Sequence, residues 1–204
     1  LIRRLIKILI INVILILLIV NIAYALDPTG VDEWPRTDLL PTDLQDTLIK
    51  GIKSLHSFEF ENSEKYFHNA IEIAPDRIFG YIYLSVLNWV KLYEDNLNTS
   101  LEPEIQKYLN KALNIGKKYL SNKTANSYDY LYYALAKTLS VRTLLKNGNY
   151  PVAFFNFLEA LKILKRADEL DDDNIDIKLG LGLYNAYTGS LPKYLLNILN
   201  QMTK

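Results

Sequence analysis

From residue 42 onward, apolar residues recur every three to four positions, the spacing that places them on one face of an α-helix. No segment shows a sustained β-strand alternation. The brief alternation of leucine and glycine at 179–183 has helical spacing on both sides, so it is interpreted as a helix with a glycine-lined contact face. Asn147–Gly148, and Gly189 followed by Pro192, are typical of helix ends. Helices are therefore predicted at 42–57, 60–74, 77–93, 103–121, 127–146, 150–170, 175–188 and 191–202.

Three stretches of the chain repeat one pattern. Residues 65–73, 107–115 and 155–163 each contain a bulky apolar residue, an alanine three positions later, and then an aliphatic residue. Self-similarity on this scale is typical of stacked helical units rather than of one globular domain with a catalytic cleft. Repeat arrays present extended surfaces, which indicates a role in binding other proteins.

Small and aromatic residues stand at regular distances within these units. They include Ser63-x3-Phe67-x2-Ala70 followed by Pro75, Ala153-x3-Phe157-x2-Ala160, Gly51-x-x-Ser54, Leu84-Ser85-x-x-Asn88 and Leu181-Gly182-x-x-Asn185. This pattern, over residues 42–204, resembles the tetratricopeptide repeat. The segment 181–192 is also similar to exported bacterial tetratricopeptide proteins of unassigned function. The resemblance implies an all-α, right-handed superhelical solenoid of about four antiparallel helix hairpins. The alanine spacings of 42 and 48 residues exceed the family period of about 34, so longer hairpins are expected.

The first 25 residues differ from the rest. Basic residues precede a long aliphatic run that ends in Ala23-Tyr24-Ala25, the layout of a secretory signal peptide cleaved before Leu26. The alternative is an uncleaved membrane anchor, because the apolar run is long enough to span a bilayer. Residues 26–41 are rich in proline and are interpreted as an irregular linker, followed by the repeat domain at 42–204. An exported protein of the periplasm or outer envelope is expected, touching a membrane only through residues 1–25 if they are retained.

Composition and motifs give no support to catalysis or to nucleic-acid binding. Lys plus Arg and Asp plus Glu number 23 each, so no basic excess indicates a nucleic acid, and the chain has no cysteine. His56 and His68 lack a metal-ligand pattern. The acidic residues at 168–176 lack the glycine of a calcium loop and are interpreted as a turn, with Asp173 or Asn174 capping the next helix. No enzyme activity, cofactor or metal is therefore predicted.

Once the repeat positions are assigned to packing within hairpins, the first helix of each hairpin retains a second stripe for the concave face. This predicted groove contains Leu48, Ile52, His56, Ile82, Val86, Trp89, Thr138, Arg142, Leu145, Leu183 and Tyr187. It is largely apolar, with Arg142 as its main charge. It is therefore expected to bind a protein or peptide with an apolar or amphipathic surface, as a helix in a groove.

The predicted function is an exported scaffold for protein–protein interaction in the cell envelope. The alternative is the N-terminal part of a larger envelope enzyme or ligand-binding protein, truncated at the C-terminus.

Overall fold

The computed structural model describes residues 40–94, 99–121 and 125–189. These residues form seven α-helices and no β-strand, which confirms the all-α fold class. The predicted signal segment 1–25, most of the linker 26–41 and the predicted helix 191–202 lie outside the described residues. None of the described helices combines the length and the apolar character that crossing a membrane requires. The helices are α1 (Thr42–His56), α2 (Phe60–Ile73), α3 (Phe79–Glu94), α4 (Glu102–Leu120), α5 (Ser127–Lys146), α6 (Tyr150–Leu170) and α7 (Ile175–Gly189), with a short 3-10 helix at Thr99–Leu101 before α4.

The described helices begin and end within two residues of the predicted bounds, and each packs against its neighbour within one of two compact units. The first unit contains α1 to α4 and the second contains α5 to α7. Within the first unit, α1 also contacts α3. Because the joins inside each pair of helices are short, α1–α2 and α5–α6 form antiparallel hairpins.

A small residue on α1 lets α2 approach closely. A Cβ atom placed on Gly51 would lie 2.5 Å from Cε1 of Phe67, much closer than van der Waals contact. The hydroxyl of Ser63 donates a 3.0 Å hydrogen bond to the carbonyl of Gly51, fixing the register of the two helices. The Phe67 ring is fully buried and stacks on Tyr83 of α3, with ring centroids 5.0 Å apart. In this hairpin, a small residue of the repeated pattern therefore lies directly against an aromatic one.

The contact between α3 and α4 also depends on a small residue, here a serine. The hydroxyl of Ser85 on α3 donates to the carbonyl of Ile105 on α4 at 3.3 Å, so a small side chain again meets the neighbouring backbone. The guanidinium of Arg77, before α3, lies 5.2 Å from the ring centroid of Phe79 and 4.6 Å from that of Tyr119 near the end of α4. These cation–π contacts stabilise the packing of the segment between α2 and α3 against α4.

The ends of the helices in the second unit are set by specific caps. Asn126 accepts from the backbone N–H of Asp129, whose carboxylate accepts from the N–H of Asn126, forming a capping box at the start of α5. Gly148 follows α5 in a left-handed conformation, with φ of +74°, at the helix end predicted from Asn147–Gly148. Asn174 accepts from the N–H groups of Asp176 and Ile177 at 3.1 and 3.2 Å, which confirms its predicted role as the cap of α7.

The acidic residues before α7 are part of this turn. Asp171 accepts hydrogen bonds from Ser127 and Asn174, each at 3.3 Å, and Asp168 forms a 2.9 Å ion pair with Lys178. Across the described ranges, no group of three or more histidine and acidic side chains is arranged to hold a metal ion. The hydrogen bonds of Asp171 and the ion pair of Asp168 connect neighbouring helices, as the turn interpretation predicts.

The contact between α6 and α7 tests the interpretation of residues 179–183 as a helix with a glycine-lined contact face. A Cβ atom on Gly180 would meet Cδ2 of Leu164 at 3.0 Å, so this glycine does face α6. Beside it, the rings of Phe157 and Tyr184 stack with centroids 5.8 Å apart. A Cβ atom on Gly182 would meet nothing within 4 Å, and this residue is exposed. The interpretation is therefore confirmed for Gly180 alone.

Candidate interaction surface

One apolar stripe on α3 runs from the core to the surface. Ile82, Val86, Trp89 and Tyr93 lie at spacings of four, three and four residues, so they share one face of the helix. Ile82 is fully buried, Val86 and Trp89 are half-buried, and Tyr93 is 64% exposed. We call these four residues the α3 stripe. The predicted groove residue Ile82 thus lies in the core, and the part of the stripe that a partner can reach begins at Val86.

Tyr93 is the member of the stripe that was not assigned to the predicted groove. The signal for it is present in the sequence, because it lies four residues after Trp89 and so extends the same face. The structure extends α3 to Glu94, so Tyr93 lies in the last turn of the helix. The exposed end of the stripe therefore carries two large aromatic residues.

The charges of α3 do not interrupt this stripe. Lys91 forms a 2.6 Å ion pair with Glu64 of α2 and is only 22% exposed, so its ammonium group is directed toward α2. Val86, Trp89 and Tyr93 are themselves uncharged, and the other charged residue of α3 is the exposed Glu94, which follows directly after Tyr93. An apolar face that partly reaches solvent is the kind of surface that protein interfaces bury.

On α1, which contacts α3, two further groove residues are accessible. Ile52 and His56 are half-buried and lie four residues apart on one face, whereas Leu48 is fully buried. Burial lowers the pKa of His56 below its usual value, because desolvation penalises the imidazolium form. The surroundings of His56 therefore favour the uncharged imidazole over the imidazolium.

In the second unit, the predicted groove residues differ in accessibility. Thr138 is 8% exposed and its hydroxyl donates to the carbonyl of Ala134 at 2.9 Å, so it is engaged with its own helix. Leu145 is also buried, and Arg142 is half-buried. The side chain of Tyr187 lies outside the described residues. Arg142 is thus the residue of the α5 set that a partner can reach.

Two exposed apolar residues on α6 break the pattern of the repeats. Val152 and Phe155 are 43% and 58% exposed. In the aligned stretches, the position of Phe155 is occupied by Lys65 and Lys107, which are also exposed. The solvent-facing position is therefore polar in two repeats and aromatic in the third, which makes Phe155 a useful reference residue for experiments on exposed aromatics.

Comparison of the chain with protein-family models, with curated proteins and with solved structures finds no match in any of the three. The candidate surface is therefore defined by the chain's own geometry. Its core is the exposed half of the α3 stripe, with Ile52 and His56 of α1 on the helix that contacts it.

Proposed function

We propose that this chain is an exported scaffold that binds a partner protein through the α3 stripe, and that its helices form a right-handed superhelical solenoid of the tetratricopeptide type. The observation that carries the proposal is the accessible end of the stripe, where the uncharged residues Val86, Trp89 and Tyr93 pass from half-buried to exposed along one face of α3. Close contacts of a small residue with a neighbouring helix, at Gly51 against Phe67 and at Ser85 against the carbonyl of Ile105, support the solenoid.

The partner is a protein that presents an apolar or amphipathic helix. Residues of such a helix at spacings of three and four would lie along Trp89 and Tyr93. Burial of His56 on α1 lowers its pKa, which favours an uncharged imidazole and suits an apolar partner. Aromatic residues at partly buried positions commonly dominate interface energies, at about 2 kcal/mol or more each. Loss of the Trp89 ring is therefore expected to weaken binding about 30-fold.

The experiment is affinity capture from envelope extract with residues 26–204, followed by measurement of the Kd for the partner that is captured. Trp89→Ala and Tyr93→Ser are compared with Phe155→Lys, which replaces an equally exposed aromatic residue by the lysine that two repeats carry at this position. Because Tyr93 is 64% exposed, Tyr93→Ser is expected to leave the thermal unfolding curve unchanged. Weaker binding by the two α3 variants, with normal binding by Phe155→Lys, supports the proposal.

Equal binding by Tyr93→Ser, Trp89→Ala and wild type would refute the α3 stripe as the binding surface. Export is tested separately by mass spectrometry of the N-terminus of the protein isolated from cells. A mature chain that begins at Leu26 supports a cleaved signal peptide, whereas retention of residues 1–25 supports the membrane anchor.

A further inference from the structure

The turn between α1 and α2 contains an aromatic residue in a conformation that normally requires glycine. Phe58 has φ of +57°, in the left-handed region, and its N–H donates to the carbonyl of Leu55 at 3.1 Å. The next N–H, of Glu59, reaches back to the carbonyl of Ser54 at 2.9 Å. These two bonds define a Schellman motif, in which the residue at the position of Phe58 is usually glycine.

The chain itself shows which residue this turn ordinarily takes. The same motif ends α5, where Gly148 has φ of +74° and the following N–H, of Asn149, bonds to the carbonyl of Leu144 at 2.8 Å. Phe58 and Gly148 also occupy the same position when residues 65–73 are aligned with 155–163. A phenylalanine at this site is strained relative to glycine, because its Cβ crowds the backbone at positive φ.

The Phe58 side chain makes only partial packing contact with the rest of the chain. It is 61% exposed. The aromatic contact made by Phe58 is edge-to-face with Phe60, with ring centroids 6.0 Å apart and planes at 76°. That contact orients the Phe58 ring but leaves most of it in solvent. Residues held in a strained conformation are found preferentially at functional sites.

The acidic residues that follow Phe58 in the sequence indicate the chemistry of its ligand. Glu59 and Glu61 are exposed, and Glu59 is oriented by a 3.1 Å hydrogen bond from the side-chain amide of Asn62. Between residues 53 and 62 the sequence places these two carboxylates against one ammonium group, that of Lys53 in the last turn of α1. An exposed aromatic ring with two carboxylates one and three residues away in the sequence complements a cation that can stack, and the planar guanidinium of arginine does so best.

We propose that Phe58, together with Glu59 and Glu61, forms a docking site for an arginine-containing segment of a partner protein. An arginine of that segment stacks on the open face of the Phe58 ring and pairs with a flanking carboxylate. The strained backbone keeps the ring in solvent, where an arginine can reach it. This site shares no residue with the α3 stripe, so the two proposals fail independently.

The test measures binding and stability in the same variants of residues 26–204. The probes are fluorescein-labelled octapeptides in which glycine alternates with arginine, lysine or glutamate, followed by fluorescence anisotropy. We expect wild type to bind the arginine peptide more tightly than the lysine peptide, and not to bind the glutamate peptide. Phe58→Gly should weaken arginine-peptide binding about tenfold and raise Tm by about 2–4 °C, because it removes the strain together with the ring.

Matched variants separate this site from general aromatic or acidic character. Phe58→Tyr should retain binding, Glu59→Gln combined with Glu61→Gln should weaken it and reduce its salt dependence, and Phe155→Lys should leave the affinity within twofold of wild type. Unchanged binding by Phe58→Gly, or equal affinity of wild type for the arginine and glutamate peptides, would overturn the proposal. A lower Tm for Phe58→Gly would overturn it too, because the ring would then be a packing residue.

Discussion

The close approach of α1 and α2 at Gly51 makes one substitution unusually informative. In Gly51→Ala, the new methyl group would lie 2.5 Å from Cε1 and 2.8 Å from Cδ1 of Phe67. That ring is fully buried and stacked on Tyr83, so it has no solvent-filled space to enter. Relief of the overlap therefore requires α1 and α2 to separate, which would also stretch the hydrogen bond from Ser63 to the carbonyl of Gly51.

Two opposing terms set the size of the effect. Alanine is a better helix former than glycine by about 1 kcal/mol, which favours the variant. Overpacking of a tight core costs about 1–3 kcal/mol, and an overlap of this depth with an aromatic ring belongs at the upper end. We therefore expect the free energy of unfolding to fall by about 2 kcal/mol.

Gly182→Ala supplies the matched control. The substitution is the same and the residue is again within a helix, but the added methyl group meets nothing within 4 Å. Only the propensity term remains, so Gly182→Ala should stabilise the protein by about 0.5–1 kcal/mol. Urea unfolding of residues 26–204, followed by circular dichroism at 222 nm, measures both values. If Gly51→Ala raises the free energy of unfolding as Gly182→Ala does, the close contact of Gly51 with Phe67 is contradicted.

Three further predictions concern the half-buried His56, the capping box at Asn126 and the cation–π contact of Arg77. Because burial lowers the pKa of His56 below about 6.5, the unfolded state binds its proton more readily, and stability should fall from pH 7.5 to about pH 5. Urea titrations of His56→Gln should show a smaller fall; an identical pH profile would exclude this cause. Asn126→Ala removes the capping box with Asp129 and should destabilise by about 1 kcal/mol in urea unfolding, whereas an unchanged midpoint would contradict the cap. Arg77→Gln removes the cation above Tyr119 and should lower Tm by about 2–4 °C, for a loss of about 1 kcal/mol. An equal loss of stability in Arg77→Lys would show that the stacking geometry of the guanidinium matters beyond its charge. No loss in either variant would exclude the cation–π contact.

The helices of the described residues could be predicted closely because local chemistry sets their ends. Asn126 and Asn174 cap α5 and α7 with side-chain oxygens, and Gly148 ends α5 in a left-handed conformation. Each of these features depends on residues that are close in sequence or on a residue type with one strong preference.

The accessibility of the groove residues could not be predicted in the same way. α3 is apolar around nearly its whole circumference, so periodicity does not distinguish the side that packs from the side that reaches solvent. Spacing places Ile82 and Thr138 in the groove, yet both are buried. The hydroxyl of Thr138 donates to the carbonyl of Ala134 in its own helix. The positive φ of Phe58 was missed for another reason, because phenylalanine has no intrinsic preference for that conformation.

The most direct measurement of the proposed role is photo-crosslinking inside the source cells. Benzoylphenylalanine would replace one residue at a time at Trp89, Tyr93, Phe155 and the fully buried Ile82. We predict that the probes at Trp89 and Tyr93 crosslink the same partner protein, and that those at Phe155 and Ile82 do not. Crosslinking of that protein from Phe155 as strongly as from Trp89, or only intramolecular products from Trp89 and Tyr93, would contradict the α3 stripe as the binding surface.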